Sequence, residues 1–111
     1  MINEPSYDFY ELEKKYAITN AESFFLHDVR GKFHCVNGPA VRSKRNFIFY
    51  NHGCLHNIDG PAIVREDKSF WYVQDVRIGS WDEFMYESGV SKERVLVNIL
   101  SGKWPQNPFD Y

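Results

Sequence analysis

Between Phe24 and Ile78, short apolar runs alternate with polar, turn-rich breaks, and the alternation has a period. Shifting the sequence by 22 positions lays Phe25 on Phe47, Gly31 on Gly53, His34 on His56 and Asn37 on Asp59. The same shift lays Gly38-Pro39-Ala40-Val41 on Gly60-Pro61-Ala62-Ile63, and Phe49-Tyr50 on Trp71-Tyr72. Each unit predicts two strands. Asn37-Gly38 and Asp59-Gly60 tolerate positive φ and make turns. The proline that follows has no N–H for a ladder, so it belongs at a strand start or on an edge. Apolar strands leave these turns, Ala40-Val41-Arg42 and Ala62-Ile63-Val64. Polar loops over 43–46 and 66–69 reverse the chain. Aromatic strands return it, Phe47 to Tyr50 and Phe70 to Val73. The pattern predicts an antiparallel meander of about five or six strands over 24–78.

A unit this small cannot bury its own apolar face and needs a neighbour or a cover. Alternation puts Phe70 and Tyr72 on one face, Trp71 and Val73 on the other. A sheet apolar on both faces is covered twice, by helices or by another copy of the chain in a homo-oligomer. The flanks supply helices. Ser80-Trp81-Asp82-Glu83 reads as a capping box, and Gly89 ends the helix it opens. Ser91 caps a second helix, with Val95, Leu96, Ile99 and Leu100 as its apolar stripe and Gly102 as its stop. A further helix is a candidate between Tyr7 and Tyr16, where Phe9, Leu12 and Tyr16 share a face. The expectation is one α+β domain over 1–111: an N-terminal segment 1–23, the β-repeat region 24–78, two short helices in 79–102 and an irregular tail 103–111.

Composition adds the material for the core. Nine Phe, seven Tyr and three Trp in 111 residues bury much area per side chain. Charge is uneven. Residues 1–26 carry five acids against Lys14 and Lys15, residues 27–77 carry eight bases against five acids, and residues 78–111 carry five acids against three bases. The repeat is therefore the basic part, bracketed by acidic flanks. A field this mild can attract an anion or an acidic protein, but it is too weak to argue for duplex DNA. Met1-Ile2-Asn3-Glu4-Pro5 has neither the basic start nor the apolar run of a secretory signal, and no stretch is long enough for a membrane span. Cys35 and Cys54 have no CxxC partner and read as reduced thiols of a cytoplasmic protein.

His34, Cys35, His52, Cys54 and His56 are the residue types zinc prefers. Repeat-equivalent histidines in a meander stand two strands apart, about 9.5 Å, which is too far for shared ligation. The expectation is no metal and no cofactor, with the histidines donating to the backbone of the Gly-Pro turns. Cys35 and His34, as strand neighbours, face opposite sides, so no catalytic pair is expected either. Two surfaces remain. The loop residues Arg42, Lys44 and Arg45, with Lys68 of the next loop, can meet an acidic protein. Tyr50, Trp71 and Tyr72, with Arg65 and Arg77, can stack on and pair with a nucleotide if one sheet face stays open.

The run Tyr50-Asn51-His52-Gly53-Cys54-Leu55-His56-Asn57-Ile58-Asp59-Gly60-Pro61-Ala62 resembles the unit W/Y-Y-x-N-G-K-x-H-R-x-D-G-P-A, found in short repeat proteins of tailed phages and giant viruses. Val76-Arg77-Ile78-Gly79-Ser80-Trp81-Asp82-Glu83-Phe84 is similar to the way such arrays end, a last hairpin running into a helix. The resemblance covers roughly residues 24–88. The chain departs from it where an Arg usually follows each histidine: here stand Cys35 and Asn57, so a role tied to that Arg does not carry over. The resemblance implies a non-enzymatic accessory protein that binds and inhibits a host protein, in anti-phage defence. Its alternatives are a sponge for a nucleotide second messenger and a structural or assembly protein.

Overall fold

The computed structural model describes Leu12, Lys14 and residues 23–36, 38–43 and 46–109. The chain is α+β, with antiparallel strands followed by two helices. The strands are β1 (Phe24–Phe25), β2 (Val41–Ser43), β3 (Asn46–Ile48), β4 (Tyr50–Asn51), β5 (Cys54–Leu55), β6 (Ile63–Arg65), β7 (Ser69–Phe70), β8 (Tyr72–Val73) and β9 (Val76–Arg77). Among the described residues, the helices that follow the strands are α1 (Trp81–Ser88) and α2 (Lys92–Leu100). Strands β1-β2-β3-β6-β7 form one sheet in that order, while β4-β5 and β8-β9 are separate hairpins.

Register explains which side chains are buried. Phe24, Arg42, Phe47, Val64 and Ser69 pair in one row across the sheet. Paired residues project to the same face, and Phe47 and Val64 on this face are fully buried, with Leu12 and Phe49 packed on them. The opposite row is Phe25, Val41, Ile48, Ile63 and Phe70. Val41 is buried there, whereas Phe25 is 56% exposed. Both faces are therefore apolar, but they are not equally covered.

The aromatic strands do not run straight. Phe49 and Trp71 fall between strands, where the chain leaves the sheet for a hairpin. At both points the inward residue differs from its neighbours. Trp71 and Val73 turn into the main core, with Ile78, Phe84, Val90, Val95 and Trp104. Trp71 meets Trp81, Phe84, Trp104 and Phe109 edge to face, at centroid distances of 5.1, 5.3, 5.4 and 5.9 Å, the arrangement ring quadrupoles favour.

The helices start and stop where the capping residues place them. Ser80 Oγ accepts from Glu83 N–H at 3.1 Å. The reciprocal bond goes one residue further out than a capping box requires, from Gly79 N–H to Glu83 Oε1 at 2.7 Å. Gly89 closes α1 at φ 76°, and Ser91 Oγ caps α2 through Arg94 N–H. The expected stripe of α2 is corrected. Val95 and Ile99 face the core, but Leu96 is 46% and Leu100 85% exposed, beside Val97 at 62%. A helix of nine residues set against one neighbouring layer buries a single i, i+4 row, and the adjacent row is left outside. The candidate helix between Tyr7 and Tyr16 lies outside the described residues, apart from Leu12 and Lys14, both helical. In the tail, Trp104 is buried and its Nε1–H donates to Asp59 O at 3.1 Å. Among the described residues, no helix is long and apolar enough to cross a membrane.

Candidate functional site

The hairpins that branch from the sheet are tied to one another by backbone bonds that recur. Cys35 N–H donates to Tyr50 O at 3.4 Å, and 22 positions on, Asn57 N–H donates to Tyr72 O at 3.2 Å. Gly53 N–H donates to Phe33 O at 2.8 Å, and Asp75 N–H to Leu55 O at 2.9 Å. Both two-residue turns have positive φ at each central residue: His52 (48°) with Gly53 (88°), and Gln74 (48°) with Asp75 (67°). That is the primed turn whose twist suits a hairpin. It leaves the first central N–H of each turn pointing at the preceding segment.

Histidines receive those N–H groups. His34 Nδ1 accepts from His52 N–H at 3.1 Å, and His56 Nδ1 accepts from Gln74 N–H at 3.1 Å. The expectation that these histidines donate to the Gly-Pro turns is corrected on both counts: they accept, and they hold the turn of the following hairpin. The reason is the turn type, which aims a donor and not a carbonyl at the ring. The loop of the second Gly-Pro pair is ordered by Asn57 instead. Its Oδ1 accepts from Asp59 N–H and its Nδ2 donates to Pro61 O, both at 3.0 Å. Asp59 is further tied to Arg94 of α2.

In the turn closed by the His27–Phe33 bridge, a carboxylate and not a histidine takes the turn N–H groups. Asp28 Oδ1 accepts from the N–H groups of Arg30 and Lys32 at 2.8 and 3.0 Å, and Oδ2 lies 2.7 Å from His52 Nδ1. An ionised carboxylate only accepts, so His52 Nδ1 carries the proton. The His52 bond, followed by the Lys32 amide, lowers the Asp28 carboxyl from 3.8 to about 2. The His52 ring stacks on His34 at 3.8 Å between centroids and 12° between planes. Burial pushes the His56 imidazole below its ordinary 6.5. A hydrogen bond to Asp75, then burial, pushes the Cys54 thiol upward. Both cysteines are free. Among the described residues, no group of three or more His, Cys, Asp or Glu is placed to hold a metal ion.

A cleft of about 810 Å³ opens between the segments that follow the two clamping histidines. His34, Cys35, Val36 and Gly38 line one part, and their counterparts 22 positions on, His56, Asn57, Ile58 and Gly60, line another. Phe49, Tyr50 and Val64 add apolar and aromatic surface, and Lys103 adds a cation. The volume is that of a small-molecule site.

The residues singled out from the sequence scatter. Tyr50 lines the cleft. Trp71 is 2% exposed in the aromatic core, so it is unavailable for stacking on a ligand. Tyr72 pairs with Arg77 on the last hairpin, where the Arg77 guanidinium lies 5.3 Å from the Phe70 ring centroid. Arg65 stands at the far end of β6, one row from the tip. The nucleotide site drawn from Tyr50, Arg65, Trp71, Tyr72 and Arg77 is therefore not assembled, because the break at Trp71 turns that side chain inward and sends the hairpin away from the tips. Arg42 sits within β2, paired with Phe47, and its guanidinium lies 5.3 Å from that ring centroid; it is a sheet residue and not part of the loop. Arg65 and Lys68 are exposed at the β6–β7 turn. Asn46, the first residue of β3, pairs with Arg65. Lys44 and Arg45 of the β2–β3 loop lie outside the described residues. Reading the residues missed Asp28, Asn57 and Lys103. Asp28 had a signal in its Asp-Val-Arg-Gly turn; Lys103 had none, since only the docked tail brings it to the cleft. No protein-family model, curated protein or solved structure matches this chain.

Proposed function

We propose that the chain is a non-enzymatic, phage-type accessory protein that binds and inhibits a host protein of an anti-phage defence system, in the host cytoplasm, and that α2 is its principal contact. The observation that carries this reading is the outer face of α2. Leu96, Val97 and Leu100 stand 46%, 62% and 85% exposed on one side of a nine-residue helix. Contiguous aliphatic surface on a helix is the form in which grooves of partner proteins take up helical segments. Tyr86 of α1, 86% exposed, adds an amphipathic side chain to the helical layer. The β6–β7 turn, with Arg65 and Lys68, offers a separate charged contact for an acidic partner.

Two features support the non-enzymatic part. The clamping histidines hold backbone N–H groups on Nδ1, the lone pair a general base would use. The Cys54 thiol is pushed away from the thiolate form a nucleophile needs. The 22-residue unit belongs to the same proposal: an array of hairpins serves as a rigid frame that presents the helices.

Affinity purification from host lysate tests the reading, with wild type compared against Leu96→Asp/Leu100→Asp. One host protein should be retained by wild type and lost in the variant, while both give the same circular dichroism spectrum and melting temperature. Equal retention by both would remove α2 as the contact. If Arg65→Ala/Lys68→Ala then abolished retention, the contact would move to the β6–β7 turn.

A further inference from the structure

The cleft between the two clamped segments has a chemistry of its own, separate from the α2 face. In each clamping histidine Nδ1 is an acceptor, so a neutral ring carries its proton on Nε2. His34 and His56 both line the cleft, and each ring keeps a single N–H donor. The strand of Tyr50 lies between theirs, since Tyr50 O accepts from Cys35 N–H and Tyr50 pairs with Leu55. The two histidines stand two strand spacings apart, on the order of 9.5 Å. Phe49 and Tyr50 line the same cleft with aromatic surface, and Lys103 is an exposed cation there. Asp59, the acid in the described lining, is neutralised by Arg94. Donors and a cation therefore line the cleft together with aromatic surface, and among the described residues its carboxylate is already paired.

We propose that this cleft binds a small molecule made of a flat aromatic body and one anionic group, a phosphate or a carboxylate. The body stacks on Phe49 and Tyr50. The anion takes a histidine Nε2–H and the Lys103 ammonium, and a second acceptor on the body takes the other histidine.

Asparagine separates the clamp from the donor. Its Oδ1 stands where histidine Nδ1 stands and can accept the turn N–H, but it lacks a donor at the Nε2 position. The experiment titrates wild type, His34→Asn/His56→Asn and Lys103→Ala with a nucleoside monophosphate, with an aryl carboxylate such as indole-3-acetate, and with inorganic phosphate alone. Binding is followed by calorimetry and by NMR shifts of the His34, His56 and Tyr50 rings. The expected result is saturable binding of at least one aromatic anion, shifting those three rings. The Asn/Asn variant should weaken it at least about tenfold, the loss of one hydrogen bond to a charged group, while still unfolding cooperatively with a melting temperature near that of wild type. Whichever aromatic anion saturates shows whether the site prefers phosphate or carboxylate. Saturation by inorganic phosphate with equal affinity would overturn the role of the aromatic surface. No saturation by either aromatic anion to millimolar concentration, or undiminished affinity in both variants, would overturn the proposal. If the Asn/Asn protein fails to fold, Lys103→Ala decides, because an exposed lysine can be removed without touching the clamps.

Discussion

The C-terminal layer and the hairpin row are held together by different forces. Around Trp71, the rings of Trp81, Phe84, Trp104 and Phe109 and the buried aliphatic side chains Val73, Ile78, Val90 and Val95 exclude water; cohesion there is mainly burial, which does not depend on pH. In the hairpin row few side chains are fully buried, and the connections are directed bonds: backbone to backbone, imidazole to amide, carboxylate to amide. The difference teaches where each kind of damage will register. Truncating a side chain should hurt the aromatic layer most. Changing a φ angle, a ring nitrogen or the pH should hurt the hairpin row and leave the other nearly untouched.

The largest effect is expected from Trp71→Ala. Removing a fully buried Trp from the ring cluster should lower unfolding free energy by about 3–5 kcal/mol, read by denaturant titration. In a domain of this size that consumes much of the total stability. A loss under ~1 kcal/mol would mean that the layer contributes less than its burial implies.

Backbone conformation comes next and concerns the hairpins alone. Gly53 has φ 88°, and a Cβ there would sit 3.2 Å from Lys32 Cδ. Gly53→Ala should cost about 1–2 kcal/mol. Gln74, at φ 48° in the equivalent turn, should respond in the opposite sense. Gln74→Gly relieves a left-handed non-glycine residue and should be neutral or stabilising by up to about 1 kcal/mol. Equal signs for the two substitutions would contradict the turn assignment.

Losing one clamp should be smaller still. His56→Ala leaves Gln74 N–H without its acceptor and should cost about 1 kcal/mol, with faster amide exchange at Gln74. His56→Asn, which keeps an acceptor, should recover most of both changes.

The smallest effects are those of pH, and the signs follow from the shifts. The Asp28 carboxyl is held at about 2 in the folded chain against 3.8 ordinarily. Its contribution is fully present above 3.8 and lost as pH falls toward 2. His56 is also depressed when folded, so the unfolded chain binds its proton more readily, and stability declines as pH drops below about 6.5. Melting temperature against pH should therefore fall in two steps. Asp28→Asn should flatten the acid step and His56→Asn the step near neutrality, while the Trp71 layer adds no slope of its own.

Much of this was legible in the residues. Ser80, Gly89 and Ser91 mark helix ends by local chemistry, and the structure places them there. The alternation that sets Trp71 and Val73 apart from Phe70 and Tyr72 matches their burial. The rest depends on interactions a linear pattern does not carry. The breaks at Phe49 and Trp71 look like strand interior, because aromatic residues suit a strand as well as a core. The direction of the histidine bonds depends on the turn type, which His-Gly and Gln-Asp do not announce as Asn-Gly does. The first segment also differs subtly from the second. His34 N–H reaches Leu26 O across eight positions, whereas His56 N–H reaches Phe49 O across seven. That extra residue lengthens the first turn, and Asp28 holds it. The cleft was hidden because its walls come from two segments and its cation from the tail.

The clamps underlie both the hairpin row and the donors of the cleft, so the state of the two rings is the most direct test. A long-range proton–nitrogen NMR spectrum of the imidazoles at pH 7.5 reads the protonation of each ring nitrogen. The expected result is His34 and His56 as neutral Nε2–H tautomers, each Nδ1 showing a coupling across the hydrogen bond to the amide of His52 or Gln74. Protons on Nδ1 of these two histidines, or no such coupling at either turn, would contradict it.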